Sequence, residues 1–143
     1  MIRKLEEKDK ENWAKLYNGY ADFYKVPMNK GILDTIWSWI HDEVHDVNAI
    51  CFELDGKIVG IAHYRTMPRP IKGKNIGFLD DLFVDRDFRG QKIGQKLIGH
   101  LKSLSKVNNW DGIRWITHSS NQNAKKLYDK IAFNTGFELY ELK

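Results

Sequence analysis

The segment from Leu82 to Gly94 (LFVDRDFRGQKIG), where a predicted strand is followed by a predicted helix, is rich in hydrogen-bond donors and glycines. The first backbone N–H groups of a helix have no partner within it, and together with the helix dipole they form an anion site. Three donors and two glycines that permit close backbone approach lie in this segment: Arg89, Gln91, Lys92, Gly90 and Gly94. The segment is neither a Walker loop nor a dinucleotide motif. It favours a pyrophosphate ligand, and a plain charged strand-to-helix turn is the alternative.

A second polar segment, from Asn121 to Tyr128 (NQNAKKLY), follows the next predicted strand and opens the next predicted helix. Asn121 and Asn123 are residue types that cap helices. Tyr128 carries a hydroxyl that is able to donate a proton during catalysis. The alternative is a tyrosine half-buried between helix and sheet, whose hydroxyl finds a partner there.

Two adjacent acids, Asp80 and Asp81, interrupt the apolar run from Phe78 to Val84. Burying a carboxylate is costly unless it is paired, so the position calls for an explanation. Successive side chains of a strand alternate between its faces, so the two carboxylates are expected on opposite faces. A salt bridge or turn contact is the alternative to a role with a cationic substrate or in proton transfer.

The hydrophobic pattern predicts a mixed α/β structure in the order β-α-α-β-β-β-α-β-α-β. Predicted strands cover residues 1–5, 49–54, 57–64, 76–84, 113–117 and 137–142, and predicted helices cover 9–24, 89–107 and 123–133, with a further helix capped by Asn29. Asp55-Gly56 is a hairpin signal, and 67–75 is expected to be one exposed loop. The strands at 76–84 and 113–117 should be parallel, with a right-handed crossover between them. We expect one domain over residues 1–143.

Composition and charge narrow the classes of function. The net charge of +4 comes from scattered basic residues accompanied by acids, a pattern that disfavours nucleic-acid binding. The single cysteine, Cys51, excludes an intrachain disulfide, so a reducing, cytoplasmic location is expected. The sequence has no signal-peptide pattern and no apolar run of membrane-spanning length. His41 and His45 share a helix face but lack a third ligand, so no metal is expected.

The two motifs together resemble the GNAT superfamily of N-acetyltransferases. Arg89-x-x-x-x-Gly94 follows one strand, Asn121-x-x-Ala124-x-x-Leu127-Tyr128 follows the next, and the resemblance extends over essentially the whole chain. The run FLDDLFV at 78–84 is also similar to the branch that acetylates polyamines, small amines and basic proteins. The resemblance implies a central twisted mixed sheet flanked by helices on both faces. One departure is Lys92, which stands where the family has glycine.

The resemblance also implies a cofactor site and its residues. Acetyl-CoA is the expected co-substrate, held by the strand main chain, the loop and the second motif: Leu82, Phe83, Val84, Arg89, Gly90, Gln91, Lys92, Ile93, Gly94, Asn121 and Lys126. Tyr128 is expected to protonate the leaving thiolate. Asp80 or Asp81 is expected to attract or deprotonate the acceptor, because a protonated amine, whose pKa is near 10, is not a nucleophile.

The resulting prediction is acetyl transfer to a primary amine by direct attack in a ternary complex. The acceptor is expected to be cationic, either a small amine or polyamine or a lysine side chain. A non-catalytic acetyl-CoA-binding module is the alternative, which Lys92 leaves open. The final predicted strand, with Phe137, Leu139 and Leu142, would be able to pair across a homodimer.

Overall fold

Five strands and four α-helices make up the fold in a computed structural model that describes all 143 residues. In chain order they are β1 (Ile2–Lys4), α1 (Lys10–Tyr24), α2 (Lys30–His41), β2 (Val47–Leu54), β3 (Lys57–Arg69), β4 (Lys74–Val84), α3 (Ile93–Val107), β5 (Ile113–Trp115) and α4 (Gln122–Ile131). The strands form one sheet in the order β1-β2-β3-β4-β5. β1 to β4 pair antiparallel, and β4 pairs with β5 in parallel. The prediction of a mixed sheet, with parallel strands joined through a helix, is confirmed.

Helices cover both faces of the sheet because alternate strand residues are apolar on each side. One core lies under α3 and contains Ile50, Val59, Ala62, Leu79, Leu97 and Leu101. The other lies under α1 and α2 and contains Trp13, Leu16, Trp37, Cys51, Ile58 and Ile61. β2 and β3 supply residues to both cores, as a strand buried on two faces must.

Local signals in the sequence place several turns correctly. Asn29 caps α2, since its side chain accepts a hydrogen bond from the Ile32 N–H. Asp55 and Gly56 both have positive φ, which is the hairpin conformation that twists with the flanking strands. Asp9 precedes α1, but its carboxylate binds Arg3 and the Glu6 N–H instead of capping that helix.

The expected exposed loop at 67–75 is wrong. β3 continues to Arg69, a short 3-10 turn covers Pro70–Lys72, and β4 starts at Lys74. Pro68 does not interrupt the pairing. The two strands form a long hairpin, in which Arg69 is the last residue of β3 to pair and lies opposite Lys74. Polar residues on both sides of this hairpin gave no alternation to identify it as strand.

The predicted last strand at 137–142 is also wrong for the single chain. Residues 132–143 form no helix or strand, and past Ala132 their N–H groups make no backbone–backbone hydrogen bond. Five large side chains are 75–98% exposed here, namely Phe133, Phe137, Leu139, Tyr140 and Leu142. An apolar alternation does not form a strand without an edge to pair with, and β5 offers only three residues.

Candidate active site

β4 and β5 separate beyond their third residue pair. Pairing runs from Gly77 with Ile113 to Leu79 with Trp115 and then stops, while β4 continues to Val84. On its other side β4 remains paired with β3, up to Gly60 opposite Val84. The backbone groups of residues 80–84 that face β5 therefore have no strand partner. Leu82, Phe83 and Val84, the residues predicted to bind a cofactor arm through their main chain, lie in this open segment.

The loop after β4 contains two residues with a left-handed backbone, and one of them is the lysine that stands where the resemblance places glycine. Gly90 has a φ of 83°, and Lys92 has a φ of 61° and lies in the left-handed region. A lysine bears a strain cost of about 1 kcal/mol there, which surrounding structure must offset. The Lys92 side chain is exposed. These two left-handed residues also explain why α3 begins at Ile93 and not at the predicted Arg89.

The N-terminus of α3 is open for an anion. No side chain caps it, so its first N–H groups have no partner in the chain. A Cβ at Gly94 would meet only Leu82 and Val84, at 3.8 and 3.9 Å, which is ordinary contact. Packing alone therefore does not require glycine here, and its small size leaves space above the end of β4.

Arg89 is fixed beside this helix end. Its Nε donates to the Val84 carbonyl at 3.3 Å, and its guanidinium lies over the rings of Phe23 and Phe83, at 5.6 and 5.4 Å. Cation–π contacts of this kind hold a charge without neutralising it. Gln91 is exposed, Ile93 is buried in the core under α3, and the Arg89 charge remains available to an anion.

The two acids lie on the same face of β4, so the expectation of opposite faces is wrong. His63 pairs with Asp81 and Tyr64 with Leu79, which leaves Asp80 as the extra residue of a β-bulge. A bulge inserts one residue and re-aims the side chains beside it. Asp81 bonds to His63 and Asp80 bonds to Arg65, and those two β3 residues, two apart, share the face covered by α1 and α2.

Asp81 is held by a network of hydrogen bonds. Its Oδ2 atom lies 2.8 Å from His63 Nδ1 and accepts a hydrogen bond of 2.9 Å from the Tyr17 hydroxyl. Burial acts to raise the pKa of this carboxyl, but hydrogen bonding by His63, Tyr20 and Tyr17 lowers it. Asp81 is therefore ionised at neutral pH. Burial, and then the negative charge of Asp81, raise the pKa of Tyr17 and Tyr20, so both hydroxyls keep their protons.

Asp80 has the opposite electrostatic balance. Burial raises its pKa, the charge of Asp81 adds to that effect, and the Arg65 guanidinium opposes it. The Arg65 Nε reaches both oxygens, at 3.1 and 3.3 Å, and the same guanidinium lies over the Phe78 ring. Environments that separate the pKa values of adjacent carboxyls suit different roles in acid–base chemistry.

Tyr128 lies on α4 and packs against the end of β5. Its ring packs edge-on against Trp115 at 5.3 Å, and burial raises its pKa, so the hydroxyl is protonated at neutral pH. That hydroxyl makes no hydrogen bond with the chain. Asn121 caps α4 through Ala124 and also donates to Thr117 Oγ1 and to the Tyr24 hydroxyl, which ties α4 to α1. Lys126 is exposed.

A family model described as "Acetyltransferase (GNAT) family" matches residues 13–133, which span both motifs and the acid pair. The chain belongs to the GNAT acetyltransferase family. It is an acyl-CoA-dependent acetyltransferase, and acetyl-CoA is the co-substrate that this family uses. No helix of this GNAT protein has the length and apolar character that a membrane crossing requires.

Relatives of this GNAT protein differ in their acceptors. The D-amino-acid N-acetyltransferase HPA3 of Saccharomyces cerevisiae is 29% identical over 143 residues, which are 99% of this chain and 89% of that protein. The glucosamine 6-phosphate N-acetyltransferase of Trypanosoma brucei brucei is 29% identical over 84 residues, 58% of this chain and 55% of that one. The structure of a ribosomal-protein-alanine N-acetyltransferase from Brucella melitensis biovar Abortus 2308 has a TM-score of 0.83, at 24% identity, over 100% of this chain and 97% of that one.

Removing the Tyr128 hydroxyl should slow the chemical step of this acetyltransferase. In Tyr128→Phe the ring keeps its contact with Trp115, so we expect folding and acetyl-CoA affinity to persist. A general acid contributes on the order of 10² in rate, and kcat should fall by about that factor. Single-turnover kinetics at neutral pH measure it, with Tyr64→Phe as control, because Tyr64 is another buried tyrosine without a hydrogen bond. An equal kcat in both variants would restrict Tyr128 to packing.

Several residues that shape this site were not identified from the sequence. The hydrogen-bond partners of Asp80 and Asp81 come from other elements, β3 and α1. They are Arg65, His63 and Tyr17, with Trp13 bonded in turn to His63. The available signal was a histidine inside the apolar run of β3. Cys51 is buried, its thiol contacts the Arg3 carbonyl, and burial raises its pKa to about 11, so it acts as a core residue. His41 bonds to the Trp37 carbonyl and His45 stacks on Trp39.

Proposed function

We propose that this enzyme transfers the acetyl group of acetyl-CoA to a cationic primary amine by direct attack in a ternary complex. The observation that carries the proposal is the position of Asp81. This carboxylate is ionised and largely buried, it faces α1 beside the open segment of β4, and its partners are His63 and two tyrosines. A buried anion of this kind suits an ammonium group brought by a substrate.

The residues divide the reaction between them. Asp81 binds the ammonium, and Asp80, whose pKa is raised, receives one of its protons through water. The neutral nitrogen attacks the thioester carbon, so that a C–N bond forms and the C–S bond breaks. A backbone N–H in the open segment near Leu82 or Phe83 stabilises the negative carbonyl oxygen. Tyr128 gives its proton to the departing thiolate. The nitrogen loses its second proton as the amide forms, and that proton passes through water to restore the Tyr128 hydroxyl.

The loop and the start of α3 are proposed to bind the pyrophosphate of the co-substrate. Arg89 supplies charge, Gly90 and Gly94 supply space, and the free N–H groups at Lys92 and Ile93 supply donors. Gln91, Asn121 and Lys126 are proposed as further contacts along the same molecule. We also place the reaction in the reducing cytoplasm, because the single cysteine is a free thiol.

An amine panel tests the proposed function. Wild-type enzyme is incubated with acetyl-CoA and, separately, with diamines, polyamines, D- and L-amino acids, glucosamine 6-phosphate and a lysine peptide, and thiol release is recorded. We expect release that depends on both substrates and is fastest with acceptors that carry an ammonium but no anionic group. A panel in which anionic acceptors are preferred would contradict the role of Asp81.

We further propose that the protein is a homodimer in which each copy buries the C-terminal segment of the other. The apolar side chains of residues 133–142 are exposed in the single chain, and the outer edge of β5 is unpaired. Clusters of this kind mark association surfaces, and an unpaired edge accepts a further strand. A second copy would supply both the edge and the cover.

Substitution in this segment should separate the two copies. We expect Phe137→Ser combined with Leu139→Ser to convert a dimer to a monomer at micromolar concentration, as measured by light scattering after size exclusion. The control is Ile71→Ser combined with Val107→Ser, two isolated side chains that are 88% and 82% exposed. A wild-type monomer at all concentrations, or dimers in both variants, would contradict the proposal.

A further inference from the structure

A polar chain of three residues, Trp13, His63 and Asp81, is joined by two hydrogen bonds and connects the core under α1 to the acid pair. The indole Nε1 of Trp13 lies 3.0 Å from His63 Nε2, and His63 Nδ1 lies 2.8 Å from Asp81 Oδ2. Trp13 is 0% exposed and His63 is 2% exposed. Neither Trp13 nor His63 takes part in the proposed acetyl transfer. Because burying their polar groups costs free energy of desolvation, their presence calls for an explanation.

The hydrogen bond from Trp13 determines which nitrogen of His63 carries the proton. An indole N–H only donates, so His63 Nε2 must be the acceptor and carries no proton. The proton of the neutral ring therefore sits on Nδ1, from which it is donated to Asp81. The geometry selects one tautomer of His63 and excludes the imidazolium, since an imidazolium would direct an Nε2–H at the indole N–H.

A neutral His63 leaves Asp81 without a cationic partner in the protein. Asp80, its neighbour, has the Arg65 guanidinium, and no lysine or arginine forms an ion pair with Asp81. The hydrogen bonds from His63 and Tyr17 both fall on Asp81 Oδ2. Hydrogen bonds thus stabilise the anion without neutralising it.

A row of tyrosines leads from this carboxylate toward the surface. Tyr17, Tyr20 and Tyr24 follow one stripe of α1, with successive ring centroids 5.6 and 4.7 Å apart. Tyr17 is buried and Tyr24 is exposed. Aromatic faces attract ammonium groups, so the row offers a cation a path to Asp81.

We propose that Trp13 and His63 are positioning residues that select a cationic acceptor. Trp13 holds His63 as the neutral Nδ1–H tautomer, and His63 in turn orients Asp81 with its charge intact for the ammonium. This inference rests on the proposed function for its kinetic consequence, whereas the tautomer and the binding of a cation are measurable without turnover.

The first experiment reads the His63 ring directly. In wild-type protein labelled with ¹⁵N-histidine, NMR at neutral pH should show a protonated Nδ1 and an unprotonated Nε2. Addition of 1,5-diaminopentane should shift the Nδ1–H signal, and the neutral isostere 1,5-pentanediol should not. A protonated Nε2, or equal shifts with both compounds, would overturn the proposal.

The second experiment separates the hydrogen bond of Trp13 from its packing. Trp13→Phe removes the indole donor, leaving Nε2 free to take up a proton and neutralise Asp81. Trp37→Phe is the matched control, because Trp37 is a buried neighbour whose ring is tilted against that of Trp13 at a centroid distance of 5.0 Å. Its indole makes no hydrogen bond. Both variants lose the same volume from the same core.

We expect Trp13→Phe to raise the dissociation constant and the KM for 1,5-diaminopentane about tenfold, the size of one lost hydrogen bond to a charge-bearing site. The KM for acetyl-CoA should not change, and Trp37→Phe should leave amine binding unchanged. Equal weakening in both variants would reduce Trp13 to a packing residue. Wild-type protein that binds the diamine with the stated tautomer but does not acetylate it would contradict the proposed function alone.

Discussion

Asp81→Asn should lower kcat/KM for the amine by about 10²-fold at neutral pH and leave the KM for acetyl-CoA unchanged. Loss of one partner of a desolvated charge pair costs about 3 kcal/mol, which corresponds to that factor. The fold should persist, because the hydrogen bonds from His63 and Tyr17 fall on one oxygen and the asparagine carbonyl is able to replace it. Steady-state kinetics with each substrate varied in turn measure the effect.

The pH dependence of this variant distinguishes recruitment from proton transfer. A neutral amine needs no counter-charge, so the defect of Asp81→Asn should shrink as the pH approaches the amine pKa, near 10. Asp80→Asn should instead lower kcat and remove the acidic limb of the pH–rate profile. Asp55→Asn, an exposed hairpin position, is the control for both. A defect in Asp81→Asn that is constant across pH would contradict electrostatic recruitment.

Gly94→Asp should abolish the thermal stabilisation that acetyl-CoA gives to the wild-type protein. A ligand that binds only the native state stabilises it by about 2.7 kcal/mol at one hundred times its Kd. The new carboxylate would lie at the open end of α3 and repel the pyrophosphate. It would not harm the helix itself, since an acid in the first turn is favourable.

Gly99→Asp is the matched control for this substitution. It makes the same change on the same helix, at an exposed position where a Cβ meets nothing within 4 Å. We expect Gly99→Asp to keep the full shift in melting temperature with acetyl-CoA. If Gly94→Asp kept it as well, the cofactor site would have to lie elsewhere.

The placement of the acids shows where sequence reasoning stopped. The apolar run around Asp80 and Asp81 predicted the strand correctly, because β4 is buried between two helical layers. The bulge at Asp80 was not predictable, since it depends on how His63 and Tyr64 pair with β4 from another strand. That single extra residue converts two opposed carboxylates into neighbours on one face.

Most of the other site features that the sequence did not predict depend on contacts between residues far apart in the chain. Trp13 and His63 are 50 positions apart, and nothing in the sequence indicates that the indole N–H of Trp13 is used. Lys92 stands where the family resemblance places glycine, and its backbone adopts the left-handed conformation that glycine permits. The final strand was predicted from alternation alone, and the chain by itself provides no partner for it.

Acetylation with isotope-labelled acetyl-CoA tests the central claim most directly. Wild-type enzyme in excess is mixed with the labelled co-substrate, first alone and then with 1,5-diaminopentane. The masses of the protein and of the small molecules are then measured by mass spectrometry. Direct transfer predicts no label on the protein and label on the amine nitrogen only after the diamine is added. Label on the protein that precedes the product, at Cys51 or elsewhere, would contradict direct attack, and an unmodified diamine would contradict the acceptor site at Asp81.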